Sequence, residues 1–136
     1  MSNSSSSIPD DVHVHSSLDS LAREVSSLLV TASQSALEQR NAFHVGISGG
    51  SLPATLGKAL DMVKEKIDFT NWHWWMIDER CVKLDDKESN YLELKKNVLQ
   101  PLNIREKNVH PIDEDKIGNP KEVHKTTASW QWHIRE

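Results

Sequence analysis

The chain has 136 residues, of which 37% are hydrophobic, and a formal net charge of −4 from 16 basic and 20 acidic side chains. This length fits a single domain. The acidic balance argues against a nucleic-acid or acidic-membrane binder, and no apolar run approaches the roughly 18 residues that span a bilayer. Cys81 is the one cysteine, which excludes an internal disulfide and predicts a reducing, cytoplasmic location.

Residues 1–16 predict a disordered, solvated tail. The segment is rich in serine, and it lacks the basic and apolar regions of a secretory signal. The acidic pair Asp10 and Asp11 also argues against a transit peptide. We therefore expect the folded domain to begin at about residue 17.

A first helix is predicted from about Leu18 to Leu37, capped by Ser16 or Ser17 and ended at Asn41. Its apolar residues recur at three- and four-residue spacing and predict the buried face: Leu18, Leu21, Val25, Leu28, Leu29, Ala32 and Ala36.

A strand at residues 43–47 is followed by a glycine turn and a second helix. Ser51 is a suitable N-cap for that helix, and Pro53 is tolerated in its first turn. Its apolar face is predicted to contain Leu52, Leu56, Ala59, Leu60, Val63 and Ile67.

Residues 72–77 predict a second strand. The continuous apolar run at residues 74–77 is typical of a strand that is covered on both faces. Asn90 and Glu93 predict a capping box for a third helix that runs to about Leu99 and ends before Pro101. Residues 109–112 are a weaker candidate for a third strand.

This alternation of helices and strands predicts an α/β fold with a parallel sheet and right-handed crossovers. In such sheets, ligands bind beyond the carboxyl ends of the strands. Both polar clusters, at residues 48–51 and 78–80, fall at such ends. No period continues beyond about residue 115, so residues 116–136 form an atypical C-terminal tail.

The turn Ser48-Gly49-Gly50-Ser51 predicts a phosphate site. Three of the five glycines lie between Gly46 and Gly50, and glycine lets an anion approach the backbone closely. A helix N-terminus directly after the turn adds unpaired N–H groups and positive potential. The turn is neither a Walker motif nor a dinucleotide fingerprint, and a purely structural tight turn is the alternative interpretation.

Asp78, Glu79 and Arg80 form the second cluster. Arg80 offers a planar fork suited to phosphate, and a carboxylate at a strand end can orient a water or a sugar hydroxyl. The alternative is a solvated loop with an internal salt bridge. The seven histidines show no metal-ligand spacing, so we expect no metal site. The tryptophans of residues 72–75 are interpreted as packing residues rather than a platform for bases.

Four segments together resemble the 6-phosphogluconolactonases, which hydrolyse 6-phospho-D-glucono-1,5-lactone in the pentose phosphate pathway. They are Ser48-Gly49-Gly50-Ser51-Leu52-Pro53, residues 74–82, Ser89-Asn90-Tyr91 with Asp86, and residues 102–113. The resemblance covers residues 18–115. It implies a Rossmann-like, doubly wound fold of the sugar-phosphate isomerase type, present here only in part, and no cofactor.

The resemblance also implies site roles. Ser48, Gly49, Gly50, Ser51 and Arg80 are expected to hold the phosphate of a small-molecule sugar phosphate, and Asp78 is expected to line the pocket. Sugar-phosphate isomerases and deaminases share the fold and a similar turn, and they are the nearest alternative.

The chain departs from the family pattern in its second half. The family carries a Gly-x-Gly-x-Asp-Gly-His-Thr-Ala-Ser motif whose histidine is the expected general base. Here only His124-Lys125-Thr126-Thr127-Ala128-Ser129 echoes it, without the glycines or the aspartate, and we interpret the echo as coincidence. We therefore expect a truncated lactonase of marginal stability that lacks the catalytic histidine. A non-catalytic fragment that binds sugar phosphates is the alternative.

Overall fold

The computed structural model describes residues 11–117. The serine-rich residues 1–10 and the segment 118–136, which contains the His124 echo, lie outside the described residues. Among those described, no helix is long and apolar enough to cross a membrane.

Three parallel strands form one sheet in the order β1-β2-β3. They are β1 at Phe43–Ile47, β2 at Trp72–Met76 and the short β3 at Val109–His110. The register pairs Phe43 with Trp72 and Trp74 with Val109. The predicted parallel α/β architecture is confirmed, although β3 is two residues shorter than expected.

Helices α1 at Leu18–Arg40, α2 at Leu52–Val63 and α3 at Asn90–Leu94 alternate with the strands. Helix α3 continues as a π-helix at Lys95–Leu99, in which the backbone N–H of Gln100 donates to the carbonyl of Lys95. Short 3₁₀ turns occupy Lys64–Lys66, Glu106–Asn108 and Glu114–Lys116.

All three helices pack on one face of the sheet. Because successive strands are neighbours and crossovers share one hand, both crossover helices must lie on the same side. The side chains at alternate strand positions meet the helices in a single core: Ala36, Phe43, Ile47, Leu56, Leu60, Trp72, Trp74, Met76, Tyr91, Leu94, Val98, Leu99 and Val109. This core confirms the packing role predicted for Trp72 and Trp74.

The opposite face of the sheet carries His44, His73, Trp75 and His110. The rings of His44 and His73 stack at a centroid distance of 4.7 Å, and those of Trp75 and His110 at 3.8 Å. Nε1 of Trp75 donates to Nδ1 of His44 over 3.0 Å. The apolar run at residues 74–77 predicted a strand buried on both faces. Trp74 and Trp75, which point to opposite faces, are both buried, but Ile77 lies past the strand end and is 55% exposed.

The predicted buried face of α1 is partly wrong. Leu18 and Leu28 are 52% and 62% exposed. Ala36 is buried as predicted, and it belongs to a stripe of small residues that also contains Ala22, Ser26 and Ser33. The hydroxyls of Ser26 and Ser33 donate to carbonyls three residues earlier, so these serines are buried without losing hydrogen bonds. Small side chains let α1 pack closely against α2. This close packing stabilises the helix pair more than burial of Leu18 and Leu28 would. The predicted cap at Ser17 and the end at Asn41 are confirmed.

Candidate functional site

The two polar clusters predicted from the sequence lie side by side at the carboxyl edge of the sheet. Ile47 pairs with Met76 at the last position of the β1–β2 register. The backbone N–H of Ile77 donates to the carbonyl of Ile47 over 3.0 Å, which extends the pairing by one step. The turn that starts at Ser48 and the segment that starts at Asp78 therefore leave the sheet from adjacent positions.

The glycine turn reverses the chain at Gly50, whose φ of 68° lies in the left-handed region. Ser51 occupies the N-cap position of α2 as predicted, but its side chain makes no capping hydrogen bond. Its carbonyl accepts from both the N–H and the hydroxyl of Thr55. Because the Ser51 hydroxyl does not cap, the first turn of α2 keeps its backbone donors for an external anion, except at Pro53, which has no N–H.

Glu79 is a structural carboxylate, and this was missed in the sequence. Its two oxygens accept four hydrogen bonds of 2.7–3.0 Å, from the backbone N–H groups of Arg80, Asn90 and Tyr91 and from the hydroxyl of Ser89. A carboxylate at the N-terminus of α3 also meets the positive end of the helix dipole. Glu79 thus ties the end of β2 to the start of α3.

The N-cap of α3 is Ser89 rather than Asn90. The Ser89 hydroxyl accepts from the N–H of Leu92, whereas the carboxylate of Glu93 bonds to Asn97 one turn later. The predicted capping box between Asn90 and Glu93 is therefore wrong. It fails because the nearby Glu79 already fills the place of the capping carboxylate.

Asn90 is free for a tertiary contact because Ser89 provides the cap. Its side chain is only 6% exposed, and Nδ2 donates to the carbonyl of Asp78 over 2.8 Å. The same amide packs directly against Gly49, where an added Cβ would stand 2.6 Å from Asn90 Cγ. The glycine turn, the end of β2 and the start of α3 consequently meet at one side chain.

Asp78 and Arg80 both face solvent. Within residues 11–117 no hydrogen bond engages the Asp78 carboxylate, and its main-chain carbonyl accepts from Asn90. The Arg80 guanidinium lies 3.7 Å from the Glu88 carboxylate, and both side chains are more than half exposed. The alternative interpretation expected a salt bridge within the cluster of Asp78, Glu79 and Arg80, but Arg80 pairs loosely with Glu88 instead. An exposed pair of this kind contributes little stability, so Arg80 remains available to an anion.

Two clefts in the described part of the chain lie away from these residues. One of about 430 Å³ is at the amino-terminal edge of the sheet, between residues 67–70 and 103–108. Another of about 350 Å³ lies beside Tyr91 and Lys95. Neither of these two clefts is lined by residues 48–51, Asp78 or Arg80.

The histidines of the described segment do not assemble a metal centre. No group of three or more histidine, cysteine or acidic side chains within residues 11–117 could hold an ion. His13 and His15 both contact the Glu24 carboxylate in α1. Burial, then the charges of His73 and Arg40, lower the pKa of His44.

Comparison with known proteins places these features in a family. The family model described as "Glucosamine-6-phosphate isomerases/6-phosphogluconolactonase" matches residues 16–135. The protein named 6-phosphogluconolactonase 3 from Saccharomyces cerevisiae is 33% identical over 122 residues, which cover 87% of this chain and 49% of the yeast protein. The human GDH/6PGL endoplasmic bifunctional protein is 34% identical over 95 residues, covering 70% of this chain and 12% of that protein.

Solved structures agree with this assignment. The crystal structure of a devB protein matches with a TM-score of 0.65 and 27% identity, covering 87% of this chain and 48% of that one. The 6-phosphogluconolactonase from Trypanosoma cruzi matches with a TM-score of 0.62 and 26% identity, covering 77% and 40%. The chain spans about half the length of the yeast relative and of the devB protein. It belongs to the glucosamine-6-phosphate isomerase and 6-phosphogluconolactonase family.

Proposed function

We propose that this chain carries the phosphate-binding part of a 6-phosphogluconolactonase site, the enzyme activity being hydrolysis of 6-phospho-D-glucono-1,5-lactone to 6-phosphogluconate. The observation that carries the proposal is the meeting of the glycine turn and the Asp78 segment at the carboxyl ends of two adjacent strands. Ligands of open parallel sheets bind at this edge.

Each proposed site residue has a physical role. Gly49, Gly50 and the start of α2 supply backbone N–H groups to the phosphate, and the hydroxyls of Ser48 and Ser51 lie beside them. The exposed guanidinium of Arg80 adds a charge-assisted contact. The exposed carboxylate of Asp78 accepts from a sugar hydroxyl.

Binding of 6-phosphogluconate, followed by calorimetry, tests the phosphate site. We expect inorganic phosphate to compete with it and gluconate without phosphate to bind far more weakly. Arg80→Ala should weaken binding about tenfold, the value of one charge-assisted hydrogen bond. Arg105→Ala is the matched control, because this exposed arginine lies at the opposite edge of the sheet. Equal affinities of wild type and Arg80→Ala would exclude Arg80 from the site.

Hydrolysis is a separate question, because the histidine motif expected of the family is not among these 136 residues. We propose that this chain alone gives no lactone hydrolysis above the spontaneous rate. Faster hydrolysis would contradict this, and an unchanged rate in His124→Ala would then exclude His124 as the base.

Two alternatives share this fold. A non-catalytic fragment that binds sugar phosphates in general is the first alternative, and it would be supported if 6-phosphogluconate bound no more tightly than other sugar phosphates. An isomerase or deaminase is included in the same family description, and turnover of glucosamine 6-phosphate would support that alternative. A cytoplasmic location stays a prediction from the free, exposed Cys81, to be checked by cell fractionation.

A further inference from the structure

Asn90 joins the two segments of the proposed phosphate site, the glycine turn and the end of β2. Its Nδ2 donates to the Asp78 carbonyl over 2.8 Å, and its backbone N–H donates to Oε1 of Glu79 over 2.7 Å. Its amide also packs against Gly49. Asn90 is only 6% exposed, so these neighbours fix the position of its side chain.

The requirement for glycine at position 49 comes from this packing. Gly50 is the one glycine with positive φ in the part of the chain that the structure describes, so the backbone at Gly49 accepts an L-residue. A Cβ there would nevertheless lie 2.6 Å from Cγ and 2.7 Å from Nδ2 of Asn90. These separations are far shorter than ordinary contacts, so a Cβ at position 49 would clash with Asn90. Only glycine leaves room for the Asn90 amide in its observed position.

We propose that Asn90 is a positioning residue that sets the distance between the glycine turn and the end of β2. It holds the glycine turn beside the segment that carries Arg80, so that both can reach one phosphate, a consequence that rests on the proposed function. The amide suits this place because it donates to a carbonyl, which the isosteric carboxylate of an aspartate cannot do.

A double-mutant cycle tests the fit between the two residues. Gly49→Ala, Asn90→Ala and the double variant are made in the full 136-residue chain and compared by urea denaturation. Gly49→Ala should lower the urea midpoint clearly in the wild-type background and much less in the Asn90→Ala background, where the space is open. An equal loss in both backgrounds would overturn the proposal.

The positioning role is tested by measuring whether Asn90 variants change the conformation of the glycine turn. In nitrogen–proton correlation spectra, Asn90→Ala and Asn90→Asp should shift the Gly49 and Gly50 amide signals and weaken 6-phosphogluconate binding at least tenfold. Asn97→Ala is the control, because that amide bonds to Glu93 within its own helix. Unshifted glycine signals in a folded Asn90→Ala protein would refute positioning.

These measurements separate the two proposals. If the wild-type chain does not bind 6-phosphogluconate, the proposed function fails, while the denaturation cycle and the glycine signals still decide the role of Asn90. If Gly49→Ala does not fold, the Asn90→Asp spectrum alone gives the answer.

Discussion

Glu79→Gln is expected to destabilise the domain more than any other single charge removal at the carboxyl edge. The Glu79 carboxylate accepts four hydrogen bonds. Glutamine keeps one acceptor oxygen and turns an NH₂ group toward the other two donors, so two bonds to a charged group are lost. At about 1.5 kcal/mol each for a half-buried carboxylate, the loss is about 3 kcal/mol. Small domains have about 5–15 kcal/mol in total.

The assay is reversible urea or thermal denaturation followed by far-ultraviolet circular dichroism. A loss of this size lowers the melting temperature by roughly 10 to 15 °C in a domain of this length. Glu65→Gln removes the same charge from an exposed side chain after α2 and should change stability by about 0.5 kcal/mol or less. A Glu79→Gln variant within about 1 kcal/mol of wild type would refute the argument that this carboxylate joins β2 to α3.

Three further predictions concern stability. Gly50→Ala should cost about 1 kcal/mol in urea denaturation because φ at this position is 68°, and Gly50→Asn should cost less; equal costs would contradict the backbone argument. Tyr91→Phe should cost about 1 kcal/mol, since burial and the 2.7 Å hydrogen bond to Glu106 raise the pKa of the Tyr91 phenol and keep its donor proton; an unchanged melting temperature would exclude this contribution. Because the folded state lowers the pKa of His44 below its usual 6.5, stability should fall as the pH drops through 6.5 and level off below the lowered value; His44→Gln should flatten that melting profile, and an identical slope would rule His44 out as a source.

The sequence predicted the order and type of the elements because their signals are local. Ser17 and Asn41 mark the two ends of α1, and the glycine turn separates β1 from α2. The adjacency of the turn and the Asp78 segment also followed, since parallel strands place their carboxyl ends at one edge. These predictions depend on periodicity and chain direction, and neither requires knowledge of tertiary contacts.

The errors arose where a tertiary contact competes with a local one. Asn90 and Glu93 have the spacing of a capping box, but Glu79, 11 residues before Asn90, accepts from the Asn90 N–H that Glu93 would satisfy in such a box. The leucines of α1 have helical spacing, but the close approach to α2 selects the stripe with small side chains. In the folded structure, the burial of two polar residues, Ser89 at 1% exposure and Asn90 at 6%, indicates that this segment makes tertiary contacts. The sequence Ser89-Asn90-Tyr91 has no apolar periodicity, so its burial could not be predicted from the sequence.

The described contacts that assemble the proposed phosphate site lie within residues 43–92. The β1–β2 pairing sets the edge, Glu79 fixes the start of α3, and Asn90 joins that start to Gly49. Among residues 11–117, the hydrogen bonds that define the site involve no residue outside this range, so we expect the site to form in a chain that spans 49% of its yeast relative. Phosphate affinity should therefore be separable from lactone hydrolysis. On the proposed function, a chain with an intact turn and no general base is expected to bind the phosphate end of a sugar phosphate and to leave the lactone carbonyl unactivated.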